Sequence, residues 1–289
     1  MRSTKQNLPL DTQFLRYINK LFTRKSIVRD FFTTNQIQSS KGIDIAADHL
    51  DKYSFLVIKK FFPKSLLTNV NTKIDKLIKA SSLADAEQTY EIIKNGKFGI
   101  TLRDRFFISR KTEKKIYYDN NFYEMIHYEK SKQRFLLEIK KKFDYLIKKL
   151  SLKSIIEEAN KKNIRRELNK IYYYRDVNSP RPLHIDTYNN SIKFFVACNS
   201  ISKIDDGPYS VIPGSHKKRN VLKLMEFYNK LRSSIWFDKF DGSFFSSSDA
   251  FIFFTEPGDL IITRQNAVHG DLPTINKTKR TMIVKHYLF

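Results

Sequence analysis

Three residues of types that bind transition metals recur in the second half of this 289-residue sequence. His184 and Asp186 are separated by one residue just after a predicted strand, and His269 follows another predicted strand further along. Because side chains alternate along extended backbone, His184 and Asp186 should point to the same side. Two neutral imidazoles and one carboxylate form a facial triad on octahedral Fe(II) that leaves three positions open. The pattern therefore predicts an iron centre with room for a bidentate 2-oxo acid and dioxygen.

A basic residue at a suitable distance in the sequence strengthens this hypothesis. Arg280 lies eleven residues after His269, at the start of an apolar strand. A guanidinium there could grip a carboxylate by two parallel hydrogen bonds, a geometry that lysine cannot offer. A His-x-Asp pair alone is more often an ordinary hydrogen-bonded pair. The combination with Arg280 favours a site that holds both a metal and a dicarboxylate.

Five short motifs follow one another in the order found in a known enzyme family. They are His184-Ile-Asp186, Asp206-Gly207-Pro208 with Pro213-Gly214-Ser215-His216, Pro257-Gly258-Asp259-Leu260, Val268-His269-Gly270, and Asn276 with Arg280. By these motifs the second half resembles the phytanoyl-CoA dioxygenase family of Fe(II)/2-oxoglutarate-dependent oxygenases. A strand and helix between Tyr53 and Ala80 are similar to the opening of that family, so the resemblance covers most of residues 50–289.

The resemblance implies a cofactor, a co-substrate and a reaction. His184, Asp186 and His269 would hold the iron, and Arg280 would pair with the far carboxylate of 2-oxoglutarate. The expected outcome is hydroxylation of a small organic molecule, with consumption of O2 and release of succinate and CO2. The positive charge of the chain, and not the resemblance, favours an anionic substrate. His216, in the Pro-Gly turn, is expected to be structural.

The hydrophobic pattern predicts an α+β fold with a mainly β core. Short aromatic and β-branched runs with turn signals after about residue 165 indicate a barrel or a two-sheet jelly roll. The family resemblance implies a double-stranded β-helix, that is, a jelly-roll or cupin-like barrel, with helices before it. The predicted organisation is a basic helical extension over 1–44 and a single domain over 45–289. Within that domain we expect helical support and a lid over about 63–165 and the barrel over about 166–289. The predicted strands are 171–175, 192–198, 209–212, 251–255, 260–263 and 281–288, and the predicted helices include 66–80, 135–150 and 154–161.

Two further sets of residues are candidates for ligand contacts. Alternation on a predicted strand sends Tyr172 and Tyr174 to one face and Tyr173 to the other, and we expect one face to meet the co-substrate. The stretch 94–115 is expected to be irregular, and its Arg103, Arg105 and Arg110 are candidates for a lid that contacts an anionic group of the substrate. The alternative for these arginines is a solvated basic surface.

The net charge of +23 is concentrated in the first part of the chain. Residues 1–180 contain 38 basic against 20 acidic residues, whereas residues 181–289 contain 15 against 10. Such a field attracts anions, which leaves open a nucleic-acid-directed oxygenase, a demethylase or hydroxylase, beside the small-molecule enzyme. A non-catalytic basic binding protein on the same fold is the third alternative.

Cysteine content and hydropathy predict a cytoplasmic protein. The single cysteine, Cys198, cannot form an internal disulfide, and no stretch approaches the ~20 apolar residues of a membrane helix. An amphipathic basic helix is predicted over residues 14–25. It is expected to pack on the main domain, with peripheral contact to an anionic membrane as the alternative.

Overall fold

The computed structural model describes residues 32–79, 106–108, 114–118, 122–127, 134–175, 183–232, 245, 249–272, 274 and 279–289. The α-helices in these ranges are α1 (Ser40–Tyr53), α2 (Lys64–Lys79), α3 (Arg134–Lys149), α4 (Leu152–Asn160) and α5 (Arg219–Arg232). The strands are β1 (Phe32–Thr33), β2 (Phe55–Lys59), β3 (Phe106–Ile108), β4 (Lys114–Tyr118), β5 (Phe122–His127), β6 (Arg166–Arg175), β7 (Ser191–Ala197), β8 (Tyr209–Val211), β9 (Phe251–Ile252), β10 (Leu260–Arg264), β11 (His269–Asp271) and β12 (Lys279–Leu288). No helix among the described residues has both the length and the apolar content needed to cross a bilayer.

The strands form one large and one small sheet. The large sheet has the order β1-β2-β10-β7-β12-β6-β5-β4-β3, and the small sheet has the order β11-β8-β9. Strand β12 is central and pairs antiparallel with β6 along its whole length and with β7 from Met282 to Leu288. The mixture of sheets and helices agrees with the predicted α+β class. Among the described residues the strands form two separate sheets and do not close into a single barrel.

The inner face of the large sheet packs against the small sheet. Met282 and Val284 of β12 belong to one buried cluster with Tyr209 of β8. Ile283 and Tyr287 belong to a second cluster on the outer face. This alternation means that every second residue of the central strands points into the layer between the sheets, where the candidate site lies.

Helices cover the outer face of the large sheet. Phe143 of α3 is fully buried, with its ring centroid 5.4 Å from that of Phe62 and 6.5 Å from that of Phe194 on β7. Burying an aromatic ring of this size contributes roughly 1.5–3 kcal/mol to stability. The helical layer therefore stabilises the sheet from outside and leaves the inner face available for polar groups.

Helix α1 has clear end signals that the sequence analysis missed. The Ser39 hydroxyl accepts a hydrogen bond from the Gly42 backbone N–H at 3.0 Å, which caps the first turn. Ser54, with φ of 76°, ends the helix in the left-handed region. The boundary expected between residues 44 and 45 falls inside this helix, and β1 before it pairs with β2.

Most predicted elements after residue 53 are confirmed, with ends shifted by a few residues. Strand β2 leads into α2 as expected, and α3 and α4 occupy the predicted helical stretches. The expectation of irregular chain over 94–115 is wrong for residues 106–108, which form β3, and for residues 114 and 115, which begin β4. Together with β5, these strands extend the large sheet beyond β6. The predicted helix over 14–25 lies outside the described residues.

Candidate metal centre

His184, Asp186 and His269 converge on one point between the two sheets. One potential ligand atom from each residue lies within 4.8 Å of the others. Asp186 Oδ1 is 3.3 Å from His184 Nε2, and Asp186 Oδ2 is 3.8 Å from His269 Nε2. Both histidines are buried and the carboxylate is partly buried. Within the described residues this is the one cluster of three His, Cys, Asp or Glu side chains with metal-binding geometry.

Backbone pairing brings the two histidines together. The His184 N–H donates to the His269 carbonyl at 2.7 Å, and the His269 N–H donates to the His184 carbonyl at 2.9 Å. This reciprocal pair is a single antiparallel bridge, and the two ring centroids lie 4.5 Å apart. The Asp186 N–H donates to the Gln265 carbonyl at 3.2 Å. This bond holds the backbone of Asp186 against the segment that follows β10.

The ring of His269 is oriented by its second nitrogen. Nδ1 lies 2.9 Å from the carbonyl oxygen of Ala267, and that oxygen can only accept, so Nδ1 carries the proton. Nε2 is therefore the nitrogen with a lone pair directed at the cluster. Metal-binding histidines commonly show this arrangement, since the partner of one nitrogen fixes the tautomer of the other.

A buried lysine that the sequence analysis did not single out contacts the carboxylate of the cluster. Lys193 Nζ donates to Asp186 Oδ2 at 2.6 Å, and Lys193 is only 7% exposed. Burial alone would raise the pKa of Asp186, but the charge of Lys193 outweighs burial and holds this pKa well below the usual range. Burial would lower the pKa of Lys193, but Asp186 outweighs this effect and raises it. The two residues therefore form a buried ion pair.

Arg280 lies deep in the inter-sheet layer, near the start of β12. Lys193 pairs with His286, near the end of the same strand. Arg280 is 3% exposed, and its guanidinium donates to the Asp271 carboxylate at 2.7 Å and to the Gly207 carbonyl. Asp271 lies two residues beyond His269 on β11, so the two side chains share one face of that strand. Arg280 therefore contacts Asp271, which lies on the same short strand as His269 of the metal cluster. Asp271 is a further polar residue of the site that the sequence did not predict.

The tyrosines of β6 alternate as expected where the structure describes their side chains. Tyr172 is buried in the inner cluster and Tyr173 in the outer cluster. Lys193 Nζ lies 5.7 Å from the centroid of the Tyr172 ring, and burial raises the pKa of this tyrosine. Tyr174 pairs in register with Arg280.

Tyr209 of β8 is another residue of the site that the sequence did not predict. Its ring centroid lies 5.7 Å from that of His269.

The Pro-Gly turn packs against the end of α1. Gly214 has φ of 71°, and its N–H donates to the Ser54 hydroxyl at 3.1 Å. That hydroxyl also lies 2.7 Å from His216 Nδ1. These contacts agree with the expected structural role of His216.

A separate polar cleft of about 550 Å³ lies beside this turn. Its lining includes Asp51, His216 and Arg264, and it contains none of the three residues of the metal cluster. Arg264 donates to the Ala159 carbonyl and the Asn160 side chain at the end of α4, and its Nη2 lies 3.6 Å from Asp51 of α1. Arg264 therefore stabilises the ends of two helices.

The candidate lid residues Arg103, Arg105 and Arg110 lie outside the described residues, so their role stays a prediction.

No protein-family model matches the chain, and no curated protein matches it in sequence. Solved structures do match by fold. The epimerase SnoN, in complex with Fe3+, alpha-ketoglutarate and nogalamycin RO, aligns with a TM-score of 0.53 at 10% sequence identity, over 86% of this chain and 84% of its own. A second structure, of SnoN as the non-haem alpha-ketoglutarate-dependent epimerase from nogalamycin biosynthesis, gives a TM-score of 0.52 at 9% identity, over 86% and 82%.

EvdO2 from Micromonospora carbonacea var. aurantiaca, complexed with 2-oxoglutarate, aligns with a TM-score of 0.50 at 10% identity, over 84% of this chain and 89% of its own. At such identities the similarity establishes a shared fold. The chemistry of this chain has to be argued from its own residues.

Proposed function

We propose that this chain is an Fe(II)- and 2-oxoglutarate-dependent oxygenase built on a double-stranded β-helix. One observation carries the proposal. Potential ligand atoms of His184, Asp186 and His269 lie within 4.8 Å of one another, in a fold shared with an enzyme crystallised with iron and 2-oxoglutarate. Two imidazoles and one carboxylate suit Fe(II) and leave coordination positions for other ligands. The orientation of His269 adds independent support, because it leaves the lone pair of Nε2 directed at the cluster, where it can bind a metal.

In this proposal His184 Nε2, His269 Nε2 and one oxygen of Asp186 hold the metal. When bound there, the iron would supply the redox chemistry by which O2 oxidises 2-oxoglutarate to succinate and CO2. The protein contributes a fixed donor geometry through the backbone bridge between the two histidines. It also contributes a buried setting, since both histidines are largely withdrawn from solvent.

Arg280 is the proposed anchor for the far carboxylate of 2-oxoglutarate. Its buried guanidinium keeps a fixed orientation through Gly207 and Asp271, and Asp271 is close in sequence to the metal ligand His269. A planar guanidinium offers five donors and can therefore bind a ligand carboxylate beside the protein groups it already contacts. We assign Tyr172 and Tyr174 to the wall that faces the co-substrate.

The proposed substrate is a small organic molecule with at least one negative group, and the proposed outcome is hydroxylation. The net charge of +23 supports an anionic partner, because charge near a pocket raises the local concentration of opposite charge. We include Arg103, Arg105 and Arg110 in the capture site on this argument. SnoN is described as an epimerase, so the shared fold is compatible with more than one outcome at the substrate.

Succinate release from 2-oxoglutarate in the presence of Fe(II) and O2 tests the proposal. The wild-type protein should form succinate slowly without substrate, and Asp186→Ala should lose this activity because the donor set is incomplete. Asp144→Asn, which changes a carboxylate of α3 on the outer face of the sheet, is the matched control and should retain it. Equal succinate formation by Asp186→Ala and the wild type would refute the assignment.

A further inference from the structure

The candidate site contains a second buried cation besides Arg280. Lys193 lies two residues before Phe195 on β7, and Phe195 packs in the inner cluster, so Lys193 also faces the inter-sheet layer. Its ammonium is 2.6 Å from Asp186 Oδ2 and 5.7 Å from the centroid of the Tyr172 ring. The lysine thus contacts one oxygen of a proposed metal ligand from inside the site.

The two cations contact different carboxylates of the site, and their backbone positions lie far apart along the sheet. Lys193 pairs in register with His286 on β12, and Arg280 lies six residues earlier on that strand, which corresponds to roughly 20 Å along it. Arg280 contacts Asp271, whereas Lys193 contacts Asp186. The lysine acts on the metal end of the site through the carboxylate of Asp186.

The charges of these residues balance in pairs. Arg280 is offset by Asp271 and Lys193 by Asp186, so with neutral histidines these four charged side chains sum to zero. A divalent metal then brings a double positive charge, and a dianion such as 2-oxoglutarate restores neutrality. Without the lysine the same complex would carry one excess negative charge, which is costly in a buried site.

We propose that Lys193 is a positioning residue that holds Oδ2 of Asp186 and sets the charge of the site in favour of a dianionic co-substrate. This inference rests on the proposed function. Oδ2 accepts from Lys193, so Oδ1, which lies 3.3 Å from His184 Nε2, is the oxygen assigned to the metal in this inference. The carboxylate then takes up one coordination position and leaves the others to the co-substrate and O2. The lysine weakens metal binding and strengthens binding of the dianion.

Opposite shifts of two affinities test this inference. Calorimetric titration of the full-length apoprotein with Mn2+ gives the metal affinity, and anaerobic titration of the Mn2+-loaded protein with 2-oxoglutarate gives the co-substrate affinity. Lys193→Met should bind Mn2+ at least about tenfold more tightly and 2-oxoglutarate at least about tenfold more weakly, because a unit charge a few ångströms away is removed from a buried site. Pyruvate, a monoanion, should lose less affinity than 2-oxoglutarate.

Two variants separate charge from packing. Lys193→Arg keeps the charge and should stay near the wild type in both titrations. Lys285→Met removes another buried lysine, which pairs with Glu167 on the outer face, and should change neither affinity. Lys193→Gln keeps a hydrogen-bond donor without the charge and should show the same opposite shifts as Lys193→Met, so it also decides the question if the Met variant does not fold.

A parallel loss of both affinities in the uncharged variants would overturn the inference, because it would show that Lys193 only supports the fold. Unchanged 2-oxoglutarate affinity would overturn it as well. Failure of the proposed function gives a different result: the wild type would bind Mn2+ without binding 2-oxoglutarate. In that case tighter Mn2+ binding by Lys193→Met would still support the charge effect on the metal, and unchanged binding would refute it.

Discussion

The carboxylate of Asp271 lies 2.7 Å from the guanidinium of Arg280, although the two residues belong to strands of different sheets. Asp271 ends the short strand that begins with His269, and Arg280 lies near the start of the central strand β12. This ion pair joins the proposed co-substrate anchor to the strand that supplies a proposed metal ligand. Neither Asp271 nor Gly207, the two groups to which Arg280 donates, belongs to the metal cluster, so changes at Arg280 should affect the co-substrate more than the metal.

Replacing Arg280 by Leu should raise the concentration of 2-oxoglutarate needed for half-maximal succinate formation by at least about tenfold, since a buried charge-assisted hydrogen bond is lost. The affinity for Mn2+ should stay within about a factor of two. Arg280→Lys keeps the charge without the planar guanidinium, so its 2-oxoglutarate requirement should lie between those of the wild type and Arg280→Leu. A loss of Mn2+ affinity as large as the loss of 2-oxoglutarate affinity would contradict the assignment.

Removing one member of the metal cluster should abolish the stabilisation that metal gives. A ligand that binds only the folded state raises the melting temperature with its concentration. Mn2+ should therefore raise the melting temperature of the wild type and of Asp144→Asn, but not that of His184→Ala or His269→Ala. Thermal unfolding followed by circular dichroism measures this difference, and an equal rise in all four proteins would rule out the cluster as the metal site.

A side chain at Gly207 should weaken both the stability of the turn and the binding of 2-oxoglutarate. Gly207 has φ of 70°, and an added Cβ would lie 2.3 Å from the Thr274 methyl carbon. Its carbonyl also accepts from Arg280. Gly207→Ala should lower the free energy of unfolding by about 1–3 kcal/mol and should weaken 2-oxoglutarate binding, because the turn must shift. Gly214→Ala, also at positive φ but in the turn beside Ser54, is the control and should destabilise the fold while leaving 2-oxoglutarate affinity near that of the wild type.

His216 should make stability depend on pH in acid. Burial, with a further contribution from Arg264, lowers its pKa from 6.5 to about 3. The unfolded chain then binds the proton more readily, so this contribution to stability is complete above about pH 6.5 and is lost as the pH falls towards 3. Urea unfolding at several pH values should show a shallower decline for His216→Gln than for the wild type. Parallel pH profiles would show that the residue does not titrate in this way.

Alternation and turn signals were enough to predict much of the second half of the molecule. The His-x-Asp spacing predicted that His184 and Asp186 share a face, and the structure brings them together with His269. Lys193 could not be found in this way, because a lysine in an apolar strand is usually taken to reach solvent. Its burial depends on Asp186, whose position follows from pairing with Gln265 much later in the chain.

Local signals also had limits in the first half. The short strands β3 and β4 lie in a basic stretch, and their pairing depends on β5 and β6, so the stretch alone did not indicate a sheet. Helix α1 had usable signals in the Ser39 cap and in the helical spacing of Leu50 and Tyr53. These signals lie on opposite sides of the boundary expected after residue 44, so neither half of the helix stood out alone.

The central place of β12 has a consequence for synthesis on the ribosome. Strands β6 and β7 are both complete by residue 197, yet they are separated in the large sheet by β12, which begins at Lys279. A nascent chain therefore exposes two long, unpaired strand edges until more than eighty further residues have been made. At typical translation rates of about 5–20 residues per second this interval lasts several seconds. The strand order therefore leaves both edges open to wrong pairing during that interval.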